Sequence, residues 1–418
     1  MSLFKKCDVP GDENWIKDGM EQENSNCKML EATYLSLEDI DQQFINQWCE
    51  LESCAVEDNA YLSPYFILPA IRYLSGKKNI YIAAVFSTSS NEKRLCGLGI
   101  FNYCKGNWAF PLPHMIAFKS VHSFLSGLLI DKMGAGATVE KLFSFLRSAH
   151  PRVYGVSFAE LPQPGKLGEL LMSQTGKNGV NWFEKSNKLR ACLCIRLKVE
   201  EEGWDSHISS KRRKNYRRSI RGLSARGNVS WNLIAGSEVT TNHIDNFLRL
   251  EHAGWKSTQN SSLLSKQNHE QFFKEMVKGF FGCYKIFFSE LALNNDVIAS
   301  TCNLIGGRTG FAFKIGWDAG LQEFSPGILN EMEFLKNVDA SKLSIDEIDS
   351  GADESSFINS YWPQRKQLVS GIFSFGFSAF GVLKIIDYLR GVKRALKQLQ
   401  SKQRQGKQVK TSKNKIKK

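Results

Sequence analysis

The alternation of apolar and polar residues predicts a chain of short strands and amphipathic helices. Residues 309–318 form an apolar and aromatic run rich in β-formers, with glycines close on both sides. That composition predicts a buried strand. Farther along, Pro326 suits the first turn of a helix, and the apolar residues after it recur at helical spacing: Ile328, Leu329, Met332, Leu335 and Val338. The pattern therefore predicts a strand, a short loop and a helix.

A similar order of elements recurs in both parts of the chain. A strand and two helices precede a pair of hairpin strands in each part, and further strands and helices follow. The hairpin strands are expected at 79–87 and 94–104 and again at 283–293 and 296–305, with single strands at 190–197 and 366–377. The predicted fold class is therefore α/β, in two tandem domains. Each domain is expected to be a mixed, mainly antiparallel sheet flanked by helices.

Composition shifts set the expected domain boundaries. Residues 1–28 are polar and irregular and are interpreted as a lead-in. The first domain is predicted at 29–204 and the second at 205–392. Residues 393–418 hold eleven Lys or Arg and no acid, so they account for most of the formal net charge of +13. This segment is predicted to be a disordered basic tail, able to make weak contact with RNA or an anionic membrane.

A second basic run occupies residues 211–221. On a helix, Tyr216, Ile220 and Leu223 form a narrow apolar seam and the basic side chains cover the remaining surface. Such a run is most often a solvated helix face. The alternative is a platform for an acidic or phosphorylated substrate, because arginine grips phosphate with two parallel hydrogen bonds.

Other sequence features point to an intracellular protein without a metal. The ten cysteines have no repeated metal-ligand spacing, and no signal-peptide core follows the first residues. No apolar run reaches the ~18 residues that would span a bilayer. We therefore predict a cytoplasmic location, no transmembrane segment and no metal ion.

The helix start near Pro326 is the first candidate binding site. A helix start presents unpaired N–H groups and a partial positive charge, and Gly327 lacks a Cβ that would keep ligand oxygens away. The local pattern is typical of a phosphate cradle, although most such junctions are only structural.

Four segments in the second half resemble the GNAT superfamily, in particular CelD-type two-domain acyltransferases and, more distantly, FemAB-type aminoacyl transferases. These segments are the basic helix at 211–218, residues 250–256, residues 313–329, and 349–352 with 362–365. The resemblance covers roughly residues 205–370. Residues 30–200 are similar to the companion domain of such proteins, through 61–64 and 124–129. The resemblance implies tandem GNAT-like domains.

The resemblance also implies a donor and a set of site residues. The donor is acetyl-CoA or another acyl-CoA, with its pyrophosphate held by Ser325, Gly327, Ile328 and Leu329. This sequence has one glycine where the family loop is Gln/Arg-x-x-Gly-x-Gly/Ala, which leaves an aminoacyl or other carrier open as the donor. Candidate substrate-binding residues are Arg212, Arg217, Trp255, Lys256 and Lys314.

Acyl transfer to an amine needs a base and a proton donor for the leaving thiolate. Glu251 and Asp318 are candidate bases, and Tyr361 is the candidate acid by its place after the fifth strand. Each has a structural alternative. Glu251 could pair with a nearby cation, Asp318 could cap a turn, and Tyr361 could pack beside Trp362.

Three functions follow as hypotheses. The leading one is an N-acyltransferase that acts on the amine of a small molecule or amino sugar, in surface-polysaccharide or conjugate biosynthesis. The second is a FemAB-like transferase that uses aminoacyl-tRNA. The third is a catalytically degenerate GNAT fold that only binds.

Overall fold

A computed structural model describes residues 29–76, 79–89, 92–107, 110–195, 203–253, 262–338 and 340–392. The expectations for the lead-in at 1–28 and for the tail at 393–418 lie outside these residues.

The first half contains seven strands and four α-helices among the described residues. They are β1 (Met29–Leu35), α1 (Gln42–Cys54), α2 (Pro64–Leu74), β2 (Ile80–Ser89), β3 (Glu92–Cys104), β4 (His114–Ala117), β5 (Leu129–Ile130), α3 (Ala135–Ala149), β6 (Gly155–Pro162), α4 (Lys166–Met172) and β7 (Val180–Cys194).

The second half repeats the strand and helix order. It comprises α5 (Ser210–Ser224), β8 (Val229–Ala235), α6 (Thr241–His252), α7 (Gln267–Gly282), β9 (Ile286–Leu293), β10 (Asp296–Gly306), β11 (Thr309–Trp317), α8 (Pro326–Asn337), α9 (Ala340–Leu343), β12 (Glu347–Asp349) and β13 (Gln364–Phe375). A last helix, α10, is described over 377–392.

Local sequence explains where several helices begin. The Asp41 side chain accepts a hydrogen bond from the Phe44 N–H at 2.7 Å and so caps α1. Pro64 occupies the first turn of α2, where no N–H is needed. The basic run forms α5, as predicted, and the seam residue Leu223 is fully buried.

One continuous sheet joins the two halves. Its strands lie in the order β1-β2-β3-β4-β6-β13-β7-β12-β11-β10-β9-β8, and β5 pairs with β3. Strand β13 of the second half lies between β6 and β7 of the first half. Strand β7 in turn pairs with β12 of the second half. Each half therefore contributes a strand to the sheet of the other.

The predicted fold class is confirmed, but three elements differ from prediction. Strand β7 begins ten residues before the predicted start at residue 190, because its first part is polar and exposed at 184–187, so no apolar alternation marks it. Strand β12 is shorter than the predicted 343–349, since α9 ends at Leu343 and a turn occupies 344–346. The region 105–137, expected to be irregular, contains β4 and β5.

Helices cover both faces of the sheet in the second half. The Phe288 ring lies 6.1 Å from that of Phe247 on α6. The Phe287 ring lies 6.5 Å from that of Phe334 on α8. Because successive strand residues point to opposite faces, α6 and α8 lie on opposite sides. The α6 side, together with α7, shares one buried core with α1 and α2 of the first half.

Candidate functional site

The two parallel strands β11 and β12 separate after a short contact. They pair over three residues only, from Thr309 with Glu347 to Phe311 with Asp349. Strand β11 continues to Trp317, whereas the chain after β12 turns at Gly351, where φ is +62°. A Cβ at Gly351 would lie 2.8 Å from the Ala312 carbonyl oxygen, so the strands are still close there. Beyond this point they leave a gap in the sheet.

A β-bulge lies where the gap begins. Cys302 of β10 pairs with Lys314, and the next β10 residue, Asn303, pairs with Ala312. Phe313 is therefore the extra residue of the bulge. A one-residue insertion reverses the faces of the side chains that follow it. Lys314 and Gly316 consequently face α6, and Trp317 faces α8.

Helix α6 packs directly on β11 beside the gap. A Cβ at Gly316 would lie 2.4 Å from the Glu251 backbone nitrogen, so only glycine fits there. The Glu251 carboxylate is fully buried and accepts the Leu263 N–H at 2.8 Å. Burial lowers the pKa of the neighbouring Lys314, and the Glu251 carboxylate opposes that shift. The structure thus brings together two residues that the sequence analysis selected.

Two histidines that the sequence analysis missed lie beside Lys314. His122, from the loop after β4, and His269, from α7, face each other with 3.2 Å between Nε2 and Nδ1. Burial lowers the pKa of His122 to about 3, and the Lys314 charge acts in the same direction. The pKa of His269 is also lowered, chiefly by burial. The site is therefore assembled from both halves of the chain.

A buried arginine holds the other side of the gap. Arg190 of β7 is 1% exposed and lies 3.4 Å from the Asp349 carboxylate. It donates to the Phe124 carbonyl oxygen at 2.9 Å and to Glu160 at 3.1 Å. The Tyr61 hydroxyl nearby has a pKa raised by burial and by the Asp349 charge. Arg190 thereby fixes the end of β12 against the loop that carries His122.

The other candidate catalytic residues lie elsewhere. The Asp318 side chain accepts the Gly320 N–H at 2.8 Å and so caps the turn after β11. Tyr361 is buried, and the guanidinium of Arg212 lies 5.8 Å from its ring centre. Arg212 also donates to the Ser360 hydroxyl at 2.9 Å. The Asp318 contact is the structural alternative that the sequence left open, and the catalytic roles of Asp318 and Tyr361 stay predictions.

The remaining substrate-binding candidates are not gathered at the gap. Arg217 is exposed on α5, and its carbonyl oxygen accepts from Arg221 at 3.2 Å. Trp255 and Lys256 lie outside the described residues.

The start of α8 is more closed than the sequence suggested. Pro326 and Gly327 are buried, and a Cβ at Gly327 would lie 3.1 Å from the Trp317 ring. The amides of Ile328 and Leu329 already bond to the Ser325 carbonyl oxygen at 3.0 and 3.1 Å. Glycine at 327 therefore makes room for the Trp317 ring, and its role toward a ligand stays a prediction. Ser325, at φ +54°, is the exposed residue of the turn.

The corresponding helix start in the first half is open. Helix α3 begins after Gly134, at φ +69°, and continues with Ala135 and Gly136. A Cβ on either glycine would meet no atom within 4 Å. The first amides of a helix have no intrahelical acceptor. The two glycines were visible in the sequence, but they fell in a region interpreted as irregular.

Comparison with known families decides the class of the protein. Residues 210–357 match the model of the acetyltransferase (GNAT) domain. Residues 210–357 are a GNAT acetyltransferase domain. The matched segment contains β11, the bulge, α8 and β12, so the gap described above lies within the GNAT domain. The resemblance predicted from the sequence is confirmed, and the enzyme class is acyltransferase.

One solved structure is similar to this acyltransferase in fold. FemX shares 8% identity over 85% of this chain and 99% of its own, with a TM-score of 0.51. A conserved protein of unknown function from Bacteroides thetaiotaomicron shares 10% identity over 82% of this chain and 100% of its own, with a TM-score of 0.49. A tandem GNAT protein from the clavulanic acid biosynthesis pathway shares 12% identity over 83% of this chain and 99% of its own, with a TM-score of 0.41. No curated protein matches the sequence.

Within the described residues, none of the acyltransferase's helices is long and apolar enough to cross a membrane.

Proposed function

We propose that this acyltransferase moves an acyl group from acyl-CoA to the amine of a small molecule or amino sugar. The observation that carries the proposal is the gap between β11 and β12, with a bulge at its start and the pair Glu251 and Lys314 on one side. A thioester held in such a gap would meet backbone groups on one side and titratable side chains on the other. Positioning and hydrogen bonds to the developing oxyanion then supply much of the rate.

In this proposal the amine nitrogen attacks the thioester carbon and the carbon–sulfur bond breaks. Glu251 takes the proton from the attacking amine, and Tyr361 supplies a proton to the leaving thiolate. Lys314, with its lowered pKa, contacts the acceptor. Asp318 is the alternative base, although its carboxylate now caps a turn.

The proposed donor site is the turn at Ser325, Gly327, Ile328 and Leu329. Its support is position, since this turn joins β11 to α8 inside the matched domain. Arg212 and Arg217 of α5 are the proposed contacts for phosphate or an acidic acceptor. We further propose a cytoplasmic role in polysaccharide or conjugate biosynthesis, which rests on the CelD-type resemblance.

Calorimetry with acetyl-CoA, longer acyl-CoAs and free coenzyme A tests the donor. We expect saturable binding of an acyl-CoA, and release of free thiol when an amine acceptor is added. Glu251→Gln should retain donor binding and lower thiol release about 100-fold or more, because it removes the base. Failure of every acyl-CoA to bind would overturn the proposal.

The second candidate is an aminoacyl-tRNA-dependent transferase. Helix α5 favours it, because its basic side chains lie on an exposed face: Lys211, Arg212, Lys214, Arg217 and Arg218. Salt-sensitive binding of a tRNA would support it, and charge reversal on α5 should then abolish binding. Equal RNA affinity after that reversal would eliminate it.

The third candidate is a GNAT fold that binds without turnover. Its support is the covered glycine at the start of α8, because Trp317 lies over Gly327. Binding of acyl-CoA with no thiol release across a panel of amines would favour this function over the first.

A further inference from the structure

Helix α10 exposes an unusually apolar outer surface. Five large apolar side chains on it are mostly solvent-exposed: Phe377 (76%), Ile385 (62%), Tyr388 (72%), Leu389 (59%) and Val392 (40%). We call these five residues the outer stripe. The last four follow the spacing i, i+3, i+4 and i+7, so they share one helix face.

The opposite face of α10 holds the helix on the protein. Ala379 and Leu383 are each 1% exposed, and Leu383 packs with Phe110 and Ile372. The outer stripe is therefore not the side that packs on the sheet. A contiguous exposed apolar surface of this kind usually marks an interaction site.

An open groove adjoins the outer stripe. It has a volume of about 580 Å³ and lies between α10 and the loop after β3. Its lining is mainly apolar and includes Pro111, Ile386 and Leu389, with Lys105 and Arg390 also present. Leu389 belongs to both features, so the groove and the stripe form one continuous surface.

Positive charge is concentrated in the sequence at the end of α10 and directly after it. Lys384 lies on α10 itself, and residues 393–418 follow directly with eleven Lys or Arg and no acid. The sequence apart from this segment carries little net charge. An apolar helix face flanked by basic residues is the composition of helices that lie in a membrane interface.

We propose that α10 docks this enzyme on the surface of an anionic phospholipid bilayer, with the outer stripe in the interface and the basic segment on the lipid headgroups. Basic residues near a negatively charged leaflet each add to the attraction. The charge argues against a second copy of this chain as the occupant, because pairing would bring two strongly basic segments together. RNA would match the charge but would leave the aliphatic stripe without a partner.

Sedimentation with lipid vesicles tests this proposal on the full chain. One set of vesicles contains phosphatidylcholine alone and the other contains roughly one third phosphatidylglycerol. We expect binding to the anionic vesicles to be at least about tenfold stronger and to weaken in high salt. The double variant Ile385→Glu and Leu389→Glu should reduce that binding by about tenfold or more, because two apolar side chains no longer enter the interface.

Tyr284→Asn provides a matched control. Tyr284 is 61% exposed on the turn after α7, at φ +58°, which asparagine tolerates. This variant removes a comparable exposed apolar side chain away from α10 and should bind anionic vesicles as the unmodified chain does.

Three outcomes would overturn the proposal. Unchanged vesicle binding in the double variant would mean that the basic segment acts alone. Binding of a single-stranded RNA without binding of vesicles would assign the surface to nucleic acid. A dimer that the double variant dissociates, without vesicle binding, would show that a second copy covers the stripe.

Discussion

The starts of α3 and α8 occupy equivalent places in the two halves and differ in access. Each helix leads into a strand that pairs in parallel with an earlier one, β4 with β6 and β11 with β12. At α3, neither Gly134 nor Gly136 has a neighbour over it. At α8, Gly327 lies under Trp317 and the following amides are already bonded. One helix start is open and the other is partly covered.

Access to a helix start and the presence of titratable side chains near it are two separate properties, although the sequence pattern does not distinguish them. An open helix start can hold an anion in either half. The gap lies in the second half, where Glu251, Lys314 and His269 are joined by His122 from the first half. The similar order of elements therefore does not require both halves to have the same function. Experiments can assign donor binding to the start of α3 or to the start of α8.

The largest expected effect concerns two ion pairs, one at the end of β12 and one near the start of α3. Arg190→Met should lower the free energy of unfolding by about 3–5 kcal/mol, because it leaves the buried Asp349 carboxylate without this partner. Arg94→Met is the counterpart in the first half. Arg94 is half-exposed where it pairs with the buried Asp131, so water can reach the pair and the loss should be smaller, about 1–2 kcal/mol. Urea unfolding measures the loss of stability in each variant. Equal losses would contradict the expectation that the Arg190 pair contributes more than the Arg94 pair.

The next prediction tests which helix start, that of α8 or that of α3, binds the donor phosphates. Ser325→Asp places a negative charge at the start of α8, and aspartate tolerates the positive φ there. We expect acyl-CoA affinity, measured by calorimetry, to fall about tenfold or more. Gly136→Asp is the matched change at α3, where no atom crowds the position. It should leave the affinity within about twofold. If Gly136→Asp lowers the affinity and Ser325→Asp does not, the donor site lies in the first half.

The last prediction tests whether His122, from the first half, is buried at the site in solution. His122 has a folded pKa of about 3, below its unfolded value, so only the unfolded state takes up a proton as pH falls below about 6.5. Stability from this residue is thus complete above pH 6.5 and declines toward pH 3. At pH 5 the loss should be about 2 kcal/mol.

His122→Phe keeps the ring stacked on Phe272 and removes the titration. Its free energy of unfolding should therefore decline less between pH 7.5 and 5 than that of the unmodified chain, by about 2 kcal/mol. An identical pH dependence in both proteins would mean that His122 is accessible to protons.

Much of the fold was predictable because its elements carry their own periodicity. The hairpins β2–β3 and β9–β10, the basic helix α5 and the pair β11 and α8 all follow from local patterns. The polar part of β7 was not predictable, because its stability comes from pairing with β13 rather than from an apolar face. The predicted boundary near residue 204 stays a prediction, since the sheet runs through both halves.

The candidate site was only partly predictable for a different reason. Glu251 and Lys314 lie in segments with a family resemblance, and the structure places them together. His122 and His269 are 147 residues apart in sequence, and Arg190 reaches Asp349 across 159 residues. Such contacts arise because each half contributes a strand to the sheet of the other, and no local sequence pattern encodes that arrangement.

The position of β13 between β6 and β7 bears on how the chain matures during synthesis. The edge of β6 that faces β13 cannot be covered until residue 375 has left the ribosome. Domains usually fold one after another as they emerge. Here the earliest-made half has to wait for nearly the last strand before its sheet is complete, and a chaperone has that interval in which to act.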